Sequence, residues 1–427
     1  MKLWDKGYTT DNIVERFTVG KDRVLDLKLA PYDVQGNVAH AKMLHHIGIL
    51  NEAELNDILK GLAEIGQTIE DGTFTIEDEF EDVHSKIEFE LVKRIGEAGK
   101  KIHTARSRND QVLVDMHLYV KDELWHIKAL VRILFERLIG LSEQHKDVLM
   151  PGYTHTQVAM PSSFGLWFAA YAESLIDDLI LLNAAFKISD QNPLGSAAGF
   201  GSSFPINRTM TTELLGFETM KYNVVAAQMS RGKLEKTTAY ALSSVAGTLS
   251  KLATDVCLYM NQNFNFIGFP KELTTGSSIM PHKQNPDVFE LIRAKSNKIQ
   301  NLPSEIMMIT NNLISGYHRD FQLLKENFME AIDALKDNLE VTEFMLRHIQ
   351  VKEDIMEKDI YDYLYSVEEV NKLVMAGITF RDAYKIVGRD ILGGDFKPDK
   401  TVSHTHEGSI GHLCLNEIKI KFEKNFQ

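Results

Sequence analysis

Cysteine is nearly absent from this chain: of 427 residues, two are cysteines, Cys257 and Cys414, far apart and outside any CxxC pair. That excludes a disulfide framework, argues against a structural zinc site, and leaves both as ordinary reduced thiols of the packing. Proline is scarce too: the chain has 10, about half the usual share of roughly 5%. The 27 glycines are spread thinly, so a turn-rich all-β architecture is disfavoured and long uninterrupted helices are expected. Positive charge is in deficit: 47 Lys+Arg against 60 Asp+Glu give a net charge of −13, which argues against a protein that coats nucleic acid. No window holds the roughly 18 apolar residues of a membrane span. Residues 1–12 carry no apolar stretch of signal-peptide length. The expectation is a cytoplasmic protein with no membrane partner.

What is present is a composition of 44% hydrophobic and 25% charged residues, that of a globular chain able to bury a large core. Between residues 109 and 139 there is neither Gly nor Pro, and Leu124, Ile127, Val131, Leu134, Leu138 and Leu141 recur at alternating spacings of three and four. That is the seam of a long bundle helix. The same spacing runs through Leu234, Thr238, Leu242, Val245, Leu249, Leu252, Val256 and Tyr259. Further helical runs are expected over 162–189, 286–302 and 319–349, with Pro303 as a break. The fold class expected is all-α: a central long-helix bundle over 106–350, flanked by smaller helical domains over 1–105 and 351–427. An apolar stripe of about 40 Å is hard to cover within one subunit, so a homo-oligomer is expected.

Four stretches concentrate chemistry. Residues 274–290 read TTGSSIMPHKQNPDVFE, a loop composition between two helical segments. Its Gly-Ser-Ser run frees backbone N–H groups for an anion, and Lys283 supplies a point charge for a carboxylate or carbanion. Residues 103–112 read HTARSRNDQV and set Arg106, Arg108, Asn109 and Gln111 ahead of the long helix, where donors and the helix dipole suit a carboxylate. Residues 151–161, PGYTHTQVAMP, put Thr154 and His155 on a turn bounded by Pro and Gly, where a His can act as acid or base. Residues 316–325, GYHRDFQLLK, set Tyr317, Arg319, Gln322 and Lys325 at helical spacing.

Together these strings resemble the fumarase, aspartase and argininosuccinate lyase superfamily. GSSIMPHKQNP fits its Gly-Ser-Ser-x-Met-Pro-x-Lys-x-Asn-Pro signature, PGYTH its second signature, and SRNDQ the string that separates argininosuccinate lyases from their relatives. Glu81-Asp82-Val83-His84, residues 33–44 and residues 377–388 extend the resemblance over almost the whole chain. The resemblance implies reversible cleavage of argininosuccinate to arginine and fumarate, with no metal or organic cofactor. It implies a homotetramer whose active sites are each built from segments of three subunits.

Carried over residue by residue, it makes Ser277 the base and His155 the general acid, oriented by Glu290. Lys283 and Asn285 would hold the carbanion, with Ser278 and Thr154 on the succinyl carboxylates. Arg108, Asn109, His84, Tyr317, Gln322 and Lys325 complete the substrate contacts. His318, Leu323 and Leu324 depart from the family pattern between these contacts. A further departure is FTVGKDRVLD after residue 16, which sets Gly20 near a position where the family commonly has a substrate-binding Ser. That leaves three alternatives in view: an N-acylated argininosuccinate, another fumarate-forming substrate, or a non-enzymatic crystallin-like protein on the same fold.

Overall fold

The computed structural model describes residues 12–426, so most of the leading segment read above for its lack of an apolar stretch lies outside the described residues. The long runs fold as Arg108–Gln144, Phe164–Ser189, Lys233–Met260, Asp287–Gln300 and Leu324–Leu346, all α-helices. The seam from Leu124 to Leu141 is buried throughout, as is the second seam from Leu234 to Val256. Full burial of side chains of this size contributes about 1.5–3 kcal/mol each. No described helix is long and apolar enough to cross a membrane.

Two readings are corrected in detail. Residues 151–161 form more than a turn: Leu149–Thr154 and Gln157–Ser163 pair as an antiparallel hairpin with a register shift between Pro151 and Tyr153. Proline survives here because the pairing is a two-stranded ribbon in which each strand keeps a free edge. Pro303 does not hold a gap open; it sits in the first turn of a separate helix, Leu302–Thr310, where its missing N–H has no partner to lose.

By packing, the chain divides into two compact units. The first takes the described part of Met1–Ile127 with Leu181–Ser244 and Lys298–Leu335. One apolar cluster in it is Val114, Leu118, Leu194 and Phe217, flanked by Tyr32 and Leu215. Asp110, buried in the first turn of Arg108–Gln144, accepts from the Ser107 N–H at 2.8 Å and from the Gly195 and Ala197 N–H groups at 3.0 and 2.9 Å. One carboxylate thus caps the long helix and fixes the small-residue loop that follows Asn192.

The second unit takes Lys128–Ile180, Val245–Asn297 and Lys336–Gln427. Trp167 and Tyr171 both donate to Asp255, at 3.0 and 2.6 Å, within a run of aromatic contacts reaching Tyr259 and Phe266. Residues 395–427, which carried no reading in the sequence, end in the helix Leu415–Asn425. Phe422 of that helix stacks on Phe135 at 3.9 Å, and Glu423 receives both Arg132 Nη groups at 2.8 and 2.7 Å.

Where Phe164–Ser189 begins, Gly165 lies so close to the preceding helix end that a Cβ would stand 2.5 Å from Lys146 Cα and 2.9 Å from the Ser142 carbonyl. Gly140, exposed in the helix interior, has nothing within 4 Å. Gly165→Ala should therefore destabilise by about 1–3 kcal/mol through overpacking. Gly140→Ala should stabilise by about 0.5–1 kcal/mol. Urea unfolding of the two variants should give opposite signs.

Candidate active site

The first unit holds a cavity of about 90 Å³ lined almost wholly by polar side chains. His84, Arg108, Asn109, Tyr317, Gln322 and Lys325, all singled out in the sequence, line it together. They come from the start of Val83–Ile95, the start of Arg108–Gln144 and the segment leading into Leu324–Leu346. Asp22, Asp26, Glu81 and Asp82 complete the wall, so acids and cations alternate around it.

Most of these charges are committed to one another. Lys325, buried, lies 2.5 Å from Asp22 and 2.6 Å from Asp26. Burial, only partly offset by Lys325, pushes the Asp22 carboxyl up to about 6. The two guanidinium groups read as carboxylate donors are also engaged. Arg106 is buried and donates to Asn37, while Arg108 donates to Glu81 and Asp82, both at 2.8 Å. Asp82 also caps Val83–Ile95 through the Ser85 N–H at 2.8 Å. Burial works against its charge, but His84 and Arg108 outweigh it and hold the carboxyl at about 2.

His84 is buried with its Nδ1 donating to Asp33 Oδ1 at 2.7 Å and standing 3.6 Å from Asp115 Oδ2. Burial disfavours the charged ring, yet Asp33, Asp115 and Asp82 raise it to about 9. Asp33, His84 and Asp115 are also close enough together to suggest a metal ligand set. A separation of 2.7 Å is that of a hydrogen bond, and with the proton on Nδ1 no lone pair is left there for a metal. The arrangement is that of a fixed imidazolium paired with Asp33, beside Asp115, whose carboxyl is pushed well above the usual carboxylate range by burial and by Asp33.

The uncommitted groups in the cavity wall are the neutral ones. Neither the Asn109 carboxamide nor the Tyr317 hydroxyl forms a hydrogen bond among the described residues. Gln322 donates to the Thr18 and Val19 carbonyls at 2.9 and 2.7 Å, and Arg319 to Thr18 at 2.7 Å. These bonds hold the segment carrying Gly20, which has φ +57°, against the cavity wall; a Cβ there would lie 3.6 Å from Gln322 Nε2. Sequence reasoning missed Asp22 and Asp26 as wall residues. Their i, i+4 spacing was the local signal, but their partner lies about 300 positions downstream.

The remaining seven candidates belong to the second unit. Thr154, His155, Ser278, Lys283 and Glu290 are exposed, and Ser277 and Asn285 are half-buried. His155 and Thr156 form the two-residue tip of the hairpin, with φ of +53° and +59°. Such a turn normally takes Asn-Gly, and a β-branched residue there is strained. The Ser277 Oγ accepts from the Met280 N–H at 3.2 Å and more distantly from the Ile279 N–H at 3.4 Å. The loop is pinched at its neck by Asn285, whose N–H donates to the Thr275 carbonyl at 2.8 Å and whose amide donates to Gly276 at 3.2 Å. Neither the Lys283 ammonium nor the His155 ring has a hydrogen bond or ion pair among the described residues, and none joins His155 to Glu290.

The His84 charge sets a pH dependence. Because its folded value of about 9 exceeds the ordinary histidine value of 6.5, its contribution to stability is complete below about pH 6.5 and is lost as pH rises through about 9. NMR of ring-labelled protein should find His84 still protonated at pH 8, and Asp33→Asn should lower its midpoint. A neutral ring at pH 7 in the unsubstituted protein would refute the pairing.

Comparison with known proteins finds relatives along the whole chain. Residues 6–301 match the family described as Lyase. The chain is 57% identical over 426 residues to an argininosuccinate lyase of Bacteroides fragilis, covering 100% of this chain and 95% of that one. It is 43% identical over 386 residues to an argininosuccinate lyase of Thermotoga neapolitana, covering 90% and 97%. Among solved structures it is similar to a variant of EDDS lyase with bound fumarate, with a TM-score of 0.76, 24% identity, and 91% and 77% of the two chains covered. A class II fumarase from Schistosoma mansoni superposes with a TM-score of 0.74 at 16% identity, covering 96% and 91%. These two likenesses bear on the fold, a mainly helical bundle, whereas identity above half over the whole length decides the family: the chain belongs to the argininosuccinate lyases.

Proposed function

We propose that this chain is a cytoplasmic argininosuccinate lyase that cleaves its substrate reversibly into arginine and fumarate in arginine biosynthesis. The observation that carries the reading is the meeting of His84, Arg108, Asn109, Tyr317, Gln322 and Lys325 in one cavity, from three separate stretches of chain. The Asp22–Asp26–Lys325 group carries one more carboxylate than ammonium, and it suits the cationic end of an amino-acid substrate. Asn109 and Tyr317 offer unpaired neutral groups for the remaining polar atoms.

In the proposed reaction a base removes the proton next to a succinyl carboxylate, and the C–N bond to the guanidino nitrogen then breaks. Ser277 is the base. A serine hydroxyl is a poor base in water, and the N–H groups of Ile279 and Met280 that point at its oxygen would stabilise the alkoxide. Lys283 and Asn285 stabilise the charge developing on the carboxylate, with Ser278 and Thr154 orienting it. His155, which Glu290 would orient in the assembled site, protonates the departing nitrogen.

The seven residues of the second unit are too exposed to exclude water within one chain. Ile133, Ile180, Leu258 and Leu291 of the long helices are also at least 42% exposed. Both facts support a homotetramer in which neighbouring copies complete each site.

The test is ultraviolet detection of fumarate from argininosuccinate, offered beside adenylosuccinate, aspartate and malate. Release from argininosuccinate alone supports the reading, and no release from a folded oligomer sinks it. Release only from an N-acylated argininosuccinate would move the substrate to that form, the reading that Gly20 favours because it brings no hydroxyl beside Gln322. Ser277→Ala should lower kcat by at least about 10²-fold. Near-normal turnover of that variant would remove Ser277 from the chemistry.

A further inference from the structure

A second cavity of the first unit, about 350 Å³, lies where the chain enters Lys233–Met260. Its wall carries Arg231, Lys233 and Lys236 with the hydroxyls of Thr310 and Ser315, and no Asp or Glu lines it. In a chain of net charge −13, a concave surface with cations alone needs an explanation.

Arg231 is 5% exposed. Its Nη1 stands 3.2 Å from Glu235, its Nη2 donates to the Phe321 carbonyl at 3.2 Å, and its Nε is buried with no hydrogen-bond partner. Glu235 in turn accepts from the Gly232 N–H at 2.7 Å, so that carboxylate is already engaged. Lys233 and Lys236 have no such match: neither ammonium forms an ion pair or hydrogen bond among the described residues. Lys221, outside the cavity wall, has an ammonium whose one hydrogen bond among the described residues is to Gln191 at 3.4 Å. Burial and then Lys233 itself lower its pKa.

Like charges gathered without counter-ions repel one another unless an anion joins them. Lysines on open surface are simply solvated. Here they share a concavity within the size range of small-molecule sites, about 300–1,000 Å³. The Thr310 hydroxyl is spent on the Ile306 carbonyl at 2.8 Å, but the Ser315 hydroxyl and the N-terminus of a 28-residue helix add donors of the same sense. Met229, Leu313 and Ile314 supply apolar wall for the body of a ligand. Neither Lys233 nor Lys236 lines the candidate active site.

We propose that this cavity binds a small organic oxyanion carrying at least two negative charges, held by Lys233 and Lys236 with the buried Arg231 behind them.

The probe is inorganic pyrophosphate, titrated calorimetrically into the full-length protein at neutral pH and constant ionic strength. The expected result is saturable binding, one per chain, weakened about tenfold or more in Lys233→Ala/Lys236→Ala. That double variant should keep the circular dichroism and elution volume of the parent. Lys283→Ala, in the proposed catalytic loop, and Lys251→Ala, an exposed lysine of the same helix, should bind as the parent does. The proposal is overturned if the parent shows no binding, or if the double variant binds unchanged. A loss in Lys283→Ala would place the anion in the catalytic loop instead. An equal loss in Lys251→Ala would reduce the effect to net charge.

Discussion

Buried charge that must be matched is the constraint on which the first unit depends. Asp33, His84 and Asp115 are each on a different helix, and all three are at most 4% exposed. An ionised carboxylate left unpaired in such a setting costs several kcal/mol, so Ala30–His46, Val83–Ile95 and Arg108–Gln144 must hold these groups in register. Apolar packing alone would let three helices slide by a fraction of a turn. A 2.7 Å contact between His84 and Asp33 does not. Asp110 extends the same constraint to the 193–199 loop through two backbone N–H groups, and Arg108 extends it to the start of Val83–Ile95. The cavity is the space left at the focus of these pairs. Its unpaired groups, Asn109 and Tyr317, are neutral, and neutral groups can wait for a ligand at far lower cost than charged ones.

Regular features of this fold were legible in the sequence because a helix seam repeats every three or four residues whatever it packs against. The string around Ser277 was legible for another reason: a loop that handles anions needs small residues and a lysine in fixed order, and that order survives as text. What stayed hidden was pairing at long range. Nothing local in residues 103–112 says that Arg108 spends its guanidinium on Glu81 and Asp82, so the string read as two free carboxylate donors. Nothing in residues 22–26 announces Lys325, about 300 positions away. The hairpin at 149–163 was hidden because two prolines and a glycine read as turn chemistry, although a ribbon of two strands, each with a free edge, tolerates them.

The two strained or exposed segments of the second unit take on meaning beside this rigidity. His155 and Thr156 hold left-handed backbone at the tip of a ribbon, at a cost on the order of 1 kcal/mol each. A tip built for stability would carry Asn-Gly. Keeping His-Thr there is understandable if the position of the imidazole matters more than the turn's own energy. In the Ser277 loop, the neck is fixed by Asn285 and Thr275 while the residues between, apart from the half-buried Ser277, remain exposed. Such a loop can keep its own internal geometry, including the N–H groups at the Ser277 oxygen, while changing what it covers.

These facts bear on the proposal that the chain works as an oligomer. A hydroxyl base and a carbanion-stabilising lysine gain their strength from the exclusion of water, since interactions between charges weaken by an order of magnitude between a dry site and bulk solvent. The first unit achieves dryness by folding charge inward, but its cavity of about 90 Å³ leaves little room for anything larger than one end of a substrate. The residues proposed to act on the other end are exposed or only half-buried in a single chain. In the proposed assembly, association of copies along the exposed apolar faces of the long helices would bury those residues. On that reading, the length of the helices serves catalysis, because it supplies the contact area that keeps the assembled sites closed.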